Sequence, residues 1–252
     1  EKTAKKEKAL LLQSPKGMHD ILPEDQSRWE LLRAALRSVG PFYNFSRIDT
    51  PLLESAEVFE KSVGEFTDIV EKEMFGVRTK GHDRLVLRPE GTAGIVRAYF
   101  QHNLSRLGHP LKLYYEGPMF RYEQPQAGRY RQFHQAGFEI LGAEDDPLYD
   151  AQIIITTIRF LEEVKIKGII ININSIGCKV CRPTYKKKLQ DYYKSVQSTI
   201  CKDCKRRLAV NPLRLLDCKE PQCADVKVKA PITLDHLCTA CRHHFKAVLE
   251  YL

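Results

Sequence analysis

Residues 117–139, GPMFRYEQPQAGRYRQFHQAGFE, bring three arginines, two glutamates, four glutamines and a histidine into runs that otherwise read as β-strand. Guanidinium groups hold phosphate in a forked, directional way, and carboxylates and amides hold ammonium and other donors. Period-two alternation puts Arg121 and Glu123 on one side of the first strand, with Phe120 and Tyr122 on the other. On the second strand Phe133, Gln135 and Glu139 share a side with the small Gly137, while His134, Ala136, Phe138 and Ile140 point away as a core face would. If the register pairs the polar sides, one sheet face surrounds the ring of Phe133 with Arg121, Glu123, Gln135 and Glu139. A planar ligand stacked on Phe133, with its phosphate on Arg121, would use that face. A merely solvated antiparallel face shows the same alternation but has little use for the ring. Arg129 and Arg131, in the loop between the strands, would reach a second phosphate or an RNA end.

LRPEGT, residues 87–92, repeats the theme. Glu90 sits in a turn before a helix, where it would either anchor an ammonium beside the positive helix end or simply cap that end. Thr92 is the expected N-cap. A second chemistry lies further on. All eight cysteines fall between Cys178 and Cys241, as CKVC, CKDC, CKEPQC and CTAC. Pairs spaced like this can each bite one tetrahedral ion, and two pairs complete a four-thiolate site, so Cys178, Cys181, Cys201, Cys204, Cys218, Cys223, Cys238 and Cys241 allow one or two structural Zn²⁺ ions. Disulfides and metal-free thiols are the other readings, and spacing does not say which pair joins which. His236, His243 and His244 are substitute ligands only if they are not ordinary surface or core histidines.

The elements that must position these groups can be read along the chain. DQSRWELLRAALRSV sets Trp29, Leu32, Leu36 and Val39 at helical spacing, and Gly40-Pro41 is expected to stop the helix. Pro51 in TPLLE marks a strand end or edge. LVLRPEGTAGIVRAYF reads as strand, turn and helix. KLYYEGPMFRYE and RQFHQAGFEILGA read as a strand pair, DPLYDAQIIITTIRFLEEV as a helix and KGIIININSIG as a further strand. Irregular alternation of helices with strands and hairpins predicts an α+β domain on a largely antiparallel sheet. YKKKLQDYY, CKRRLAVNPLRLLDCK and HHFKAVLEYL read as short basic helices around the cysteines.

Charge and composition narrow the class. The 252-residue chain has a net charge of +8, 43% hydrophobic and 29% charged residues, which excludes a disordered chain and suits an anionic partner such as nucleic acid. IIININ and QIIITTI are far too short for a membrane span. The N-terminal EKTAKKEKALLLQSPKG lacks the apolar stretch of a signal peptide, so a basic tail over residues 1–14 and a cytoplasmic location without membrane contact are expected. The onset of cysteines marks a boundary near Gly177.

KGMHDILPEDQSRWE, FTDIVEKEMF, LRPEGTAGIVRA and the whole of 117–139 resemble histidyl-tRNA synthetase, a class II aminoacyl-tRNA synthetase family, from about Pro15 to Leu252. The resemblance implies a class II antiparallel sheet flanked by helices over residues 15–177, and a Cys-rich helical insertion domain over 178–252 near the tRNA acceptor arm. It implies histidine, ATP with Mg²⁺, and tRNA(His) as substrates, and a homodimer whose interface motif includes Pro51. Placed residue by residue, Arg121 would hold the ATP α-phosphate and the histidine carboxylate. Glu123 would face the adenine amino group, Phe133 would stack on the ring, and Arg129 would bend over the γ-phosphate. Glu90, Gly91, Thr92 and Gln135 would fix the α-ammonium and carboxylate of histidine, and Glu139 would accept a hydrogen bond from its imidazole. Gln126 would lie near the tRNA end. By their charge Lys205, Arg206 and Arg207 read either as phosphate contacts or as a solvated helix face.

The family's later blocks, one similar to VRGLDYY and a third motif with its ATP-binding arginine, do not occur before Leu252. The chain is therefore expected to be the N-terminal portion of the enzyme. Two other readings carry different functions. A synthetase-like regulatory subunit of ATP phosphoribosyltransferase would share the fold without charging tRNA. A non-catalytic zinc-bearing RNA-binding module would explain charge and cysteines, but leave the 90–139 constellation without purpose.

Overall fold

A computed structural model describes residues 12–63, 70, 73–81 and 83–252. The expected basic tail lies outside the described residues over 1–11, as does most of FTDIVEKEMF. The chain divides into two compact units, one of residues 1–145 with 152–167, the other of residues 146–151 with 168–252.

The first unit is built on two three-stranded sheets rather than one. One runs β1 (Ser46–Arg47), β5 (Leu111–Phe120), β6 (Gln132–Leu141), and the other β2 (Leu53–Ser55), β4 (Arg84–Leu87), β3 (Phe75–Arg78). Among the described residues, only the β1–β5 pair is parallel. The β5–β6 hairpin is the long element, paired without a bulge from Leu111↔Leu141 to Phe120↔Gln132. Its two faces separate as alternation requires: Tyr115, Gly117 and Met119 stand opposite Gly137, Gln135 and Phe133, and Tyr114 stands opposite Phe138 on the other side.

Helix α1 (Gln26–Phe42) covers that other side, with Leu36 and Phe45 packed on Tyr114, Phe138 and Ile140 and Trp29 against His134 at 4.4 Å. Two expectations fail here. The helix runs through Gly40 and Pro41 to Phe42. A Cβ at Gly40 would lie 2.7 Å from the Tyr114 ring, so this glycine permits close packing rather than ending the helix. Ala136, expected in the core, is exposed. Helices α2 (Ala56–Val63) and α3 (Thr92–Gln101) bury Phe59 and Ala93 against Val86, and α4 (Pro147–Glu163) adds Ile153 and Phe160 to the cluster around Phe138.

In the second unit the expected strand over KGIIININSIG does not form: residues 169–176 join no ladder among the described residues, and Ile170 and Ile176 are 84% and 74% exposed. A strand exists only where its N–H and C=O groups find a partner, which β-rich composition cannot supply by itself. Helices α5 (Cys181–Ser195), α6 (Lys202–Val210), α7 (Ala224–Val228) and α8 (Thr239–Tyr251) follow. The α5 residues Tyr185, Leu189 and Tyr193, four apart, form one buried stripe that meets Cys204 and Leu208 of α6, together with Leu215, Cys218 and Cys223.

Candidate functional site

The site is built on the odd-numbered face of β5–β6 and the N-terminus of α3. Glu90 precedes the helix and its carboxylate accepts from the backbone N–H groups of Thr92 and Ala93 at 2.7 and 2.9 Å. Glu90 is therefore the capping group, with Gly91 at the cap position, and Thr92 is already helical rather than the cap. The longer side chain reaches both free N–H groups from outside the turn and leaves the Thr92 hydroxyl unoccupied by capping. That hydroxyl instead donates to Glu139 Oε1 at 2.7 Å, joining residues 47 apart in sequence.

Tyr115 fills the space between them, pressed between Gly91 and Gly137: a Cβ at either glycine would overlap its ring. Burial, then the nearby carboxylates of Glu139 and Glu90, push the Tyr115 hydroxyl up to about 12. Burial also raises Glu139 above the usual carboxylate range, Glu90 adding to this and the Thr92 bond opposing it. The Oε1 atom of Gln135 on the same face is buried and has no hydrogen-bond partner among the described residues. Such an orphaned acceptor costs stability unless a ligand or water meets it.

Just beyond β5, Arg121 lies with its guanidinium 5.1 Å from the centre of the Phe133 ring, and its Nε donates to the Pro89 carbonyl at 3.0 Å. The cation is thus held beside Glu90, with its remaining N–H groups available to an anion. Glu123 and Arg129 stand further along, 3.5 Å apart. They line, with Tyr122 and Gln126, an open cleft of about 530 Å³. Gln126 and Arg129 close the hairpin loop through reciprocal backbone bonds of 2.9 and 3.2 Å.

Three supporting residues were not identified from sequence. Arg88 is buried and ties the two sheets together, donating to the Thr50 and Pro118 carbonyls at 2.9 and 3.1 Å, and Gly117 leaves room for its guanidinium. Burial lowers its pKa. Gly17, at φ +81°, accepts from the backbone N–H of Arg131 at 2.7 Å and so pins the loop to the N-terminal segment. Tyr115 is the third; its cue was the register that sets it opposite Gly137.

The cysteines form two groups, and the structure settles which pairs meet. Cys178 and Cys181 gather with Cys238 and Cys241, and Cys201 and Cys204 with Cys218 and Cys223. Within each group all Sγ atoms lie within 4.8 Å of one another. Neither group includes a histidine; His236 stacks on Tyr185. Three of the pairs straddle helix N-termini: Cys181 begins α5, while Cys201 and Cys238 occupy the N-caps of α6 and α8. The Cys181 and Val180 backbone N–H groups draw the Cys178 thiol down to about 6.

Three comparisons bear on this geometry. The family profile described as Histidyl-tRNA synthetase matches residues 17–180. A histidine–tRNA ligase of Desulforudis audaxviator is 46% identical over 243 residues, which are 96% of this chain and 58% of that protein. Apo histidyl-tRNA synthetase of S. aureus superposes with a TM-score of 0.74 at 33% identity, over 96% of this chain and 54% of that one. An ATP phosphoribosyltransferase regulatory subunit/histidyl-tRNA synthetase from Bacillus halodurans, at 20% identity and TM-score 0.62, shares the fold.

Proposed function

The chain belongs to the histidyl-tRNA synthetase family, and from that premise we propose that it supplies the ATP- and histidine-binding part of a histidine–tRNA ligase. It spans 58% of the Desulforudis relative's length. The observation that carries the reading is the face joining Glu90, Thr92, Glu139 and the unpartnered Gln135 acceptor beside an arginine lying over a phenylalanine ring.

Histidine would place its ammonium between Glu90 and Gln135, and its imidazole N–H on Glu139. A buried carboxylate acceptor rejects side chains that lack this donor, because it would then lie desolvated and unpaired. ATP would stack its adenine on Phe133, with Glu123 facing the exocyclic amine and Arg129 swung from Glu123 toward the γ-phosphate. The histidine carboxylate attacks the α-phosphate in line; the bond to the pyrophosphate oxygen breaks as the histidyl-adenylate forms. Arg121 neutralises charge at that centre. Mg²⁺, when bound with ATP, neutralises the departing pyrophosphate. A ribose hydroxyl of tRNA(His) would then take the histidyl group as its anhydride bond to AMP breaks and AMP leaves, with Gln126 near the RNA end. The homodimer would use the segment at Pro51, where Leu52 and Leu53 are exposed. Residues 15–177 would form the catalytic core and 178–252 the insertion domain. No helix among the described residues is long and apolar enough to cross a membrane.

The test is histidine-dependent ATP–pyrophosphate exchange, run on this chain and on a version extended past Leu252. Exchange with histidine alone among the amino acids is expected from the extended version and little from the chain itself. No exchange from the extended version, together with no histidine binding by either, would overturn the reading.

A further inference from the structure

We propose that residues 178–241 hold two zinc ions in nested four-thiolate sites, the inner ion slow to exchange and the outer ion open to exchange. The outer site is Cys178, Cys181, Cys238 and Cys241, and the inner site is Cys201, Cys204, Cys218 and Cys223.

The geometry is that of ligands around single ions. A Zn–S distance of about 2.3 Å sets the thiolates of a tetrahedron about 3.8 Å apart. Cys178 and Cys181 are 3.7 Å apart at sulfur, and Cys201 and Cys218 are 3.9 Å apart. A disulfide needs about 2.05 Å. Backbone N–H groups already point at the sulfurs in both sites: Val180 to Cys178 and Cys238 to Cys181 in the outer, Cys204 to Cys201 and Cys201 to Cys223 in the inner. Such donors favour thiolates, and each thiol gives its proton to solvent on binding the ion. An all-thiolate tetrahedral set selects zinc or iron over harder ions.

The sites differ in where they sit. Three of the four inner ligands, Cys204, Cys218 and Cys223, are buried within the same cluster as Leu189 and Tyr193. In the outer site only Cys181 is buried. Closure differs as well: Cys201 and Cys218 are 17 residues apart, whereas Cys181 and Cys238 are 57 apart, and the shorter loop costs less entropy to close. The inner ion therefore belongs to the core of the unit, while the outer ion clasps the two ends of the segment at the surface, within reach of a chelator.

The purified protein should contain two zinc ions per chain by mass spectrometry, each with four sulfur neighbours by X-ray absorption. Release to a chromogenic chelator should then show two phases of equal amplitude. Cys178→Ser with Cys241→Ser should lower the content from two ions to one and remove the faster phase alone. Fewer than two zinc ions, bound iron, disulfides, a single phase, or loss of the slower phase in that variant would each overturn the proposal. Metal count and sulfur number are read on the unsubstituted protein, so they decide the matter even where the variant folds poorly.

Discussion

The hairpin face of the first unit and the cysteine unit solve opposite problems. The β5–β6 face sits on a continuous ladder packed under α1, and it carries groups whose needs the fold leaves unmet: a raised carboxyl at Glu139 and an unpartnered acceptor at Gln135. The cysteine unit has helices of largely polar sequence around one small core, of which thiols form a substantial part. Regular structure can afford discomfort at a binding face because its stability is drawn from elsewhere. A small core surrounded by lysine and arginine cannot, and so calls for staples.

Five experiments, taken from the largest effect downward, break or sharpen that contrast. Stripping metal from the reduced protein should abolish amide-exchange protection in α5 and α6 while β5 and β6 keep theirs, since structural zinc supplies on the order of 10 kcal/mol of folding free energy. Equal loss in β5 and β6 would show that the two units are not energetically separate.

Within the first unit, Arg121→Ala should lower histidine-dependent pyrophosphate exchange of the extended protein by roughly 10²–10³-fold, as removal of a charge-stabilising donor does. Its thermal midpoint should barely move, because the protein's bond to this side chain runs through Pro89. Glu139→Gln should weaken histidine binding by about 10- to 100-fold, the range for a hydrogen bond to a charged group. Burial raises the folded-state pKa of Glu139, so the native state holds its proton more tightly than the unfolded chain. Stability therefore falls as pH rises from the ordinary carboxylate range through the raised value, and the neutral glutamine should be slightly more stable at pH 7. Histidine binding runs the other way with pH, failing as Glu139 gains its proton. A variant less stable than the parent by calorimetry would show that Glu139 is not under such tension.

Gly137→Ala should cost about 1–3 kcal/mol in urea unfolding, the range for overpacking, because the new methyl meets the Tyr115 ring between two paired strands. The smallest effect is expected from Arg159→Ala on the outer face of α4. Its pairs with Glu162 and Glu163 are exposed, so the loss should stay below about 0.5 kcal/mol, with neither zinc content nor histidine binding altered.

Much of this was written locally. Alternation in KLYYEGPMF and QFHQAGFEI specified two strands and their polar face, because a side chain's direction along a strand depends only on its neighbours. YKKKLQDYY was legible as a helix, though not the buried stripe its four-residue spacing makes on α5, and the short cysteine spacings marked thiol pairs able to bite a metal ion without reference to fold. What distance in sequence concealed was partnership. Thr92 meets Glu139, Arg88 meets Pro118, and Cys181 meets Cys238 only after the chain has packed. The same limit explains the missed segment at 169–174, where isoleucines promised a strand but no ladder partner lies among the described residues. Conformation at a residue follows from nearby sterics and burial pattern, whereas a contact between distant residues depends on every element that lies between them.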